Sequence, residues 1–223
     1  MVICEERAIE RILSLGFCDT AIPVTVRQEL GKEAQICVLP SLKKSALKFE
    51  KLFSNDYFSP AAHSWLRENV RPFMHTIGYH DNKLSRKVMS IMSRGTSFGE
   101  TPNSGAVILK EPIKNLTTTD IPTLLEFGHI ISAVVIDGAV VCTAYTDLAP
   151  DGEAVEVGVE TAPAYRRRGY AKDALYGLIN ELYSLGIQPI YICSRSNIAS
   201  LKLANACGFK PEALEYNYVF RRD

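Results

Sequence analysis

Residues 155–171 constrain this chain more than any other stretch. An alternating run, VEVGVE, passes through a basic, glycine-bearing turn, YRRRGYA, into an apolar helical stripe. Alternation at period two predicts a strand, while Ala171, Ala174, Leu175, Leu178, Ile179 and Leu182 recur at the three-and-four spacing of one helix face. A helix opening on such a turn leaves its first backbone N–H groups without intrahelical partners and puts the positive end of the helix dipole on the same spot. That suits a phosphate. Gly169 lets the main chain approach an anion closely, and the small Ala171 keeps the next turn from blocking it. Arg166, Arg167 and Arg168 add charge fitted to a pyrophosphate. Gly186 marks the helix stop and residues 188–193 read as a short buried strand, so the unit is a βαβ crossover.

Other phosphate loops lack their defining residues here. There is no Gly-x-x-x-x-Gly-Lys-Ser/Thr run for a P-loop, and no Gly-x-Gly-x-x-Gly turn follows a strand as a dinucleotide-binding unit requires.

The block RRRGYA at 166–171 resembles the Arg/Gln-x-x-Gly-x-Gly/Ala acyl-CoA pyrophosphate loop of the GNAT N-acetyltransferases. Upstream, Glu156, Val157, Gly158 and Val159 with Pro163 and Tyr165 are similar to that family's central strand and following turn. Downstream, Asn197, Ser200, Leu203, Gly208 and Phe209 are similar to its Asn-x-x-Ser and Gly-Phe signature. The resemblance covers about residues 154–220 and extends more faintly back to Gly105. It implies an α/β GNAT fold, with a mixed, mostly antiparallel sheet and flanking helices over 105–223. Residues 1–104 are then an N-terminal accessory region, helical or α/β, expected to shape the acceptor side.

The resemblance also implies the chemistry, acyl transfer from acetyl-CoA to a primary amine of a small molecule or peptide. Cofactor contacts fall to the main chain of Val157, Gly158 and Val159, to Arg166, Arg167, Arg168, Gly169, Tyr170 and Ala171, and to Asn197 and Ser200. A main-chain N–H of the central strand would face the developing oxyanion. Glu156 matches a family glutamate that serves as general base, directly or through water; the alternative is a structural or solvated pair with Glu160, which shares its strand face. Asn197 can meet the pantetheine arm, cap the helix from Ile198, or do both. Ser200 either faces the cofactor or fills the first helical turn. Where many members carry a proton-donating tyrosine, this chain has Ala204. Tyr216 and Tyr218 are the substitute acids, or cross-strand packing residues. Water then supplies the proton, or the protein is a non-catalytic acyl-CoA-binding or regulatory module. An aminoacyl or other acyl transferase of the same fold is the more distant alternative.

Composition bounds the partners. The 223 residues carry 25 basic and 25 acidic side chains, which gives no global attraction to nucleic acid or anionic lipid. The longest apolar stretch, residues 130–145, is interrupted by Asp137-Gly138, and Glu5, Glu6 and Arg7 stand where a signal peptide would be apolar. Six scattered cysteines read as reduced thiols and point to the cytoplasm; four dispersed histidines show no metal-ligand spacing, so no metal is expected.

Elsewhere, helices are expected over 8–15, 42–53, 83–93 and from Pro60 behind an Ser59 cap, with a loop or boundary over 94–105. Asp137-Gly138 predicts a hairpin between 130–136 and 139–145, and Pro150-Asp151-Gly152 a turn into the strand at Ala154. Thr119 or Asp120 is expected to cap a short helix through Leu125.

Overall fold

The computed structural model describes residues 2–5, 20–94, 105–150 and 152–222. The chain divides into two compact units, Met1–Ser90 with Ser194–Ser196 and Glu212–Asp223, and Ile91–Cys193 with Asn197–Pro211. The C-terminal strand thus groups with the N-terminal segment, whereas the expected division at 104/105 sets the two apart.

In the first unit, strands β1 (Val2–Glu5), β2 (Thr20–Ala21), β3 (Val24–Glu29) and β4 (Gln35–Val38) are followed by helices α1 (Lys43–Phe53) and α2 (Pro60–Thr76). β1 pairs parallel with β4, and β4 pairs antiparallel with β3. On its other side β3 pairs antiparallel with the last strand, residues Lys210–Arg222. Ser59 caps α2 as its sequence predicts, its Oγ accepting from the Ala62 N–H at 3.2 Å with Pro60 at the first helical position. Ala62, Leu66, Val70 and Met74 recur every four residues along α2 and are all buried against Val26, Ile36, Phe49 and Phe220. Tyr216 joins this core, 1% exposed, with its ring stacked on His63 at 4.1 Å.

A strand, β5 (Tyr79–Ser93), takes the place of the helix expected over 83–93. Ser90, Ile91, Met92 and Ser93 are all buried, so both faces of the strand's end are covered. A segment buried on both sides has no amphipathic alternation, and periodicity alone cannot separate it from a helix. The helix expected over 8–15 and most of the loop expected over 94–105 lie outside the described residues.

The second unit carries β6 (Val107–Ile108), α3 (Ile121–Glu126), β7 (Ile131–Ile136), β8 (Ala139–Thr146), β9 (Ala154–Thr161), α4 (Tyr170–Ser184), β10 (Gln188–Ser194) and α5 (Ile198–Ala206). β6 to β9 form an antiparallel run, and β10 adds in parallel beside β9. This is the mixed, mostly antiparallel sheet with flanking helices that the sequence implied. Asp137 and Gly138 have φ of 50° and 72°, the paired left-handed conformation of a tight hairpin turn. The Asp120 carboxylate caps α3 by accepting from the Thr123 N–H. α4 lays Ala174, Leu175, Leu178, Ile179 and Leu182, all fully buried, on Val141, Ala144, Val155 and Val157. Each such leucine or isoleucine contributes about 1.5–3 kcal/mol by leaving water, which fixes the helix start over the strand that feeds it. Among the described residues, no helix is long and apolar enough to cross a membrane.

Candidate active site

The site begins where two parallel strands part. β9 and β10 pair over three positions, Gln188 with Ala154, Pro189 with Val155 and Ile190 with Glu156. From Val157 to Thr161, β9 continues against β8 alone. The direction of its main-chain groups follows from two hydrogen bonds, Asp147 N–H to the Glu156 carbonyl and Ala162 N–H to the Val141 carbonyl, both 2.9 Å. Strand alternation then turns Glu156, Gly158 and Glu160 toward β8, and Val157, Val159 and Thr161 toward the side where β10 has diverged. The parting strands open a backbone-lined slot.

The basic turn stands at the end of that slot. Gly169, with φ of 89°, is the residue before α4, and no side chain caps this helix start, unlike α2, α3 and α5. Arg167 also takes a positive φ, 63°. A left-handed conformation costs a non-glycine residue about 1–2 kcal/mol. Alternating backbone conformations of this kind gather successive N–H groups into an anion-binding concavity. Arg166 Nε donates to the Thr161 carbonyl at 3.1 Å and an Arg168 amino group to the Ala164 carbonyl at 3.2 Å, with the Arg168 guanidinium over the Tyr165 ring. These contacts anchor two of the three exposed arginines to the turn.

Three comparisons bear on this geometry. Residues 129–218 match the family model described as GNAT acetyltransferase, a span that includes the parted strands, the turn and α5. Over that span the chain is similar to the GNAT acetyltransferases. It is 36% identical over 67 residues to a Haemophilus ducreyi protein named [ribosomal protein bS18]-alanine N-acetyltransferase; the match covers 30% of this chain and 46% of the relative, so the chain spans about half the length of that curated relative. A solved GNAT-family acetyltransferase from Novosphingobium aromaticivorans superposes with a TM-score of 0.52 at 22% identity, over 66% of this chain and 68% of that one. It shares the fold.

Glu156 and Glu160 share a face of β9. The Glu160 carboxylate accepts from the Thr118 N–H at 3.0 Å, the Thr118 hydroxyl at 2.6 Å and the Thr119 hydroxyl at 2.9 Å. Burial pushes its pKa up, but these hydrogen bonds and the nearby Arg166 outweigh that and hold it below the ordinary 4.5. Glu160 is therefore an ionised clamp on the 115–119 loop. Because its folded-state pKa is lowered, the stability it contributes is fully present above about pH 4.5 and is lost as pH falls through the lowered value. Glu160→Gln is expected to cost about 1–2 kcal/mol at pH 7; urea unfolding should show that gap closing toward pH 3.

Asn197 caps α5, its Oδ1 accepting from the Ser200 N–H at 3.1 Å, while the Ser200 hydroxyl pairs with the Tyr191 hydroxyl at 2.8 Å. Ala204 is fully buried in the core. Cys142 and Cys207 are buried as well, and burial pushes both thiols up to about 11, which keeps them protonated. Tyr216 belongs to the core of the other unit, and the Tyr218 side chain lies outside the described residues. The structure also presents a residue the sequence reading passed over. Tyr145 stands directly opposite Gly158 in the β8–β9 ladder.

Proposed function

We propose that this protein is an N-acetyltransferase that moves the acetyl group of acetyl-CoA to a primary amine, with a GNAT acetyltransferase domain over 105–223 and an accessory region over 1–104. The single observation carrying this reading is the slot between β9 and β10 ending at the uncapped start of α4. The donor set fits acetyl-CoA. An extended arm can use the outward main-chain groups of Val157 and Val159 as a missing strand would, and the pyrophosphate can take the N–H groups of Gly169, Tyr170 and Ala171 with the three arginines. Asn197 and Ser200 follow β10 in sequence, and the Ser200 hydroxyl pairs with Tyr191 of that strand, which supports a place for them beside the arm.

Bound acetyl-CoA supplies a thioester carbon open to attack. The chain's residues then have four tasks: hold the pyrophosphate, offer a main-chain N–H to the oxygen that gains charge, deprotonate the ammonium, and exclude competing water. Glu156 takes the first proton from the ammonium group. The amine forms the C–N bond as the C–S bond breaks, and its second proton passes through water to the sulfur, so CoA leaves as the thiol. Glu156 returns its proton to solvent.

The relative named for acting on an alanine of a ribosomal protein makes a peptide α-amine the first acceptor class to assay, beside lysine side chains and small amines. The buried, protonated thiols support a reducing, cytoplasmic setting.

The test is twofold. Acetyl-CoA with a panel of primary amines should release free thiol faster than hydrolysis alone. Gly169→Val should weaken CoA binding at least tenfold by calorimetry while the protein stays folded. A Cβ at Gly169 meets no atom within 4 Å, so the effect comes from the φ of +89°, which a β-branched residue resists and which sets the anion turn. Unchanged CoA affinity in the folded variant would remove the turn from the site.

A further inference from the structure

Gly158 is not a glycine for the sake of its backbone angle. It is a seat. A Cβ added there would lie 2.7 Å from the Tyr145 Cζ and 3.0 Å from its hydroxyl oxygen, closer than real side chains approach. The Tyr145 ring therefore occupies the space over Gly158, the one position of β9 without a side chain, on the face that also carries Glu156 and Glu160 two residues to either side. This seat is two residues past the last β9–β10 pair, Glu156 with Ile190, and so at the mouth of the slot.

The groups facing the Tyr145 hydroxyl define its chemistry. Burial pushes its pKa up, and the charges of Glu160, Asp147 and Glu156 push it further, so it stays a neutral phenol at physiological pH. On the β10 side its neighbour is Tyr191, whose own hydroxyl is engaged with Ser200. A neutral phenol offers one donor and two acceptor lone pairs, whereas the carboxylate of Glu156 only accepts.

We propose that Tyr145 is the acceptor-binding residue of this site: seated on Gly158, its hydroxyl oxygen receives an N–H of the incoming primary amine beside Glu156. An ammonium has three N–H bonds to place. Glu156 takes the one whose proton is removed, and Tyr145 holds a second, which fixes the nitrogen lone pair toward the slot. The surrounding negative charge draws a cationic acceptor to the same point. Glu160, tied to Thr118 and Thr119, contributes field and does not compete for the amine.

This role rests on the acetyl-transfer reading, and the test separates the two. Tyr145→Phe keeps the ring on its seat and removes only the hydroxyl. It is expected to raise the KM of the amine and lower kcat/KM by about 10- to 100-fold, with CoA affinity within twofold of wild type and the acidic limb of the pH profile unmoved. Gly158→Ala keeps the hydroxyl but displaces the ring, and should raise the same KM. A Tyr145→Phe protein with wild-type amine kinetics overturns the role of Tyr145 alone. So does a Tyr145→Phe protein that cannot fold, or one whose CoA affinity falls in step with turnover, since the hydroxyl would then be structural. Wild-type protein that binds CoA and acetylates none of the amine panel overturns the acetyl-transfer reading, and the role of Tyr145 with it.

Discussion

Glu156→Gln is expected to lower kcat for amine acetylation by about 10²- to 10⁴-fold, the usual contribution of a positioned general base, with the CoA dissociation constant unchanged. The separation of the two effects follows from geometry. The Glu156 main chain is committed to Asp147 and its side chain lies on the face of β9 shared with Gly158 and the Tyr145 ring, whereas the anion turn begins ten residues later. Raising the pH should restore part of the loss, because solution then supplies the neutral amine that Glu156 otherwise produces. The wild-type protein should therefore hold its activity further toward acid pH than the variant, which depends on solution alone to deprotonate the amine. Steady-state kinetics across pH, beside calorimetry with CoA, make the measurement. Wild-type kinetics in the variant at every pH would remove Glu156 from the site and leave the pair with Glu160 as a structural feature.

A chain beginning at Gly105 is expected to lose cooperative folding of its C-terminal strand. In the full protein this strand, β11 (Lys210–Arg222), pairs with β3 from Ala213 opposite Glu29 to Asn217 opposite Thr25, and Phe220 pairs with Ala21. Tyr216 and Phe220 are buried among Val26, Ile36, Phe49 and the α2 stripe. Deleting residues 1–104 takes away every one of those partners and returns both aromatic rings to water, at about 1.5–3 kcal/mol for each large side chain. Against a total stability of about 5–15 kcal/mol for a domain, that is a severe loss, and a bare strand edge with exposed aromatics invites aggregation. Thermal melts and size-exclusion profiles of the truncated and full-length chains decide it. A truncated protein that melts in one transition at the full-length midpoint would show that the N-terminal strands add nothing to the C-terminal one. If it also kept full acceptor turnover, the accessory region would have no acceptor role.

Much of the site was readable from the chain because it is built of contiguous residues. The alternation of VEVGVE, the left-handed turn at Gly169, the stripe on α4 and the cap at Asn197 are all set by short-range sterics and by hydrophobic period, so residue spacing carries them. The same holds for the Asp137-Gly138 hairpin, whose paired positive φ values are what that dipeptide favours. The end of the strand at 79–93 was not readable, since Ser90, Ile91, Met92 and Ser93 are all buried and burial on both faces erases the period that distinguishes strand from helix. Tyr145 was half-legible: its pairing with Gly158 has its midpoint between Asp151 and Gly152, within the predicted turn, but the meaning of that glycine needs the ring in place. The Glu160 clamp joins residues 42 positions apart, and the partnership of β11 with β3 joins the two ends of the chain. Local chemistry determined the glycine-bearing turn and the helices that open on their caps. Only the tertiary structure decided that Glu160 is tied to Thr118 and Thr119, which glycine is a seat, and that the last strand packs with the N-terminal segment, because those depend on register and burial between segments far apart in sequence.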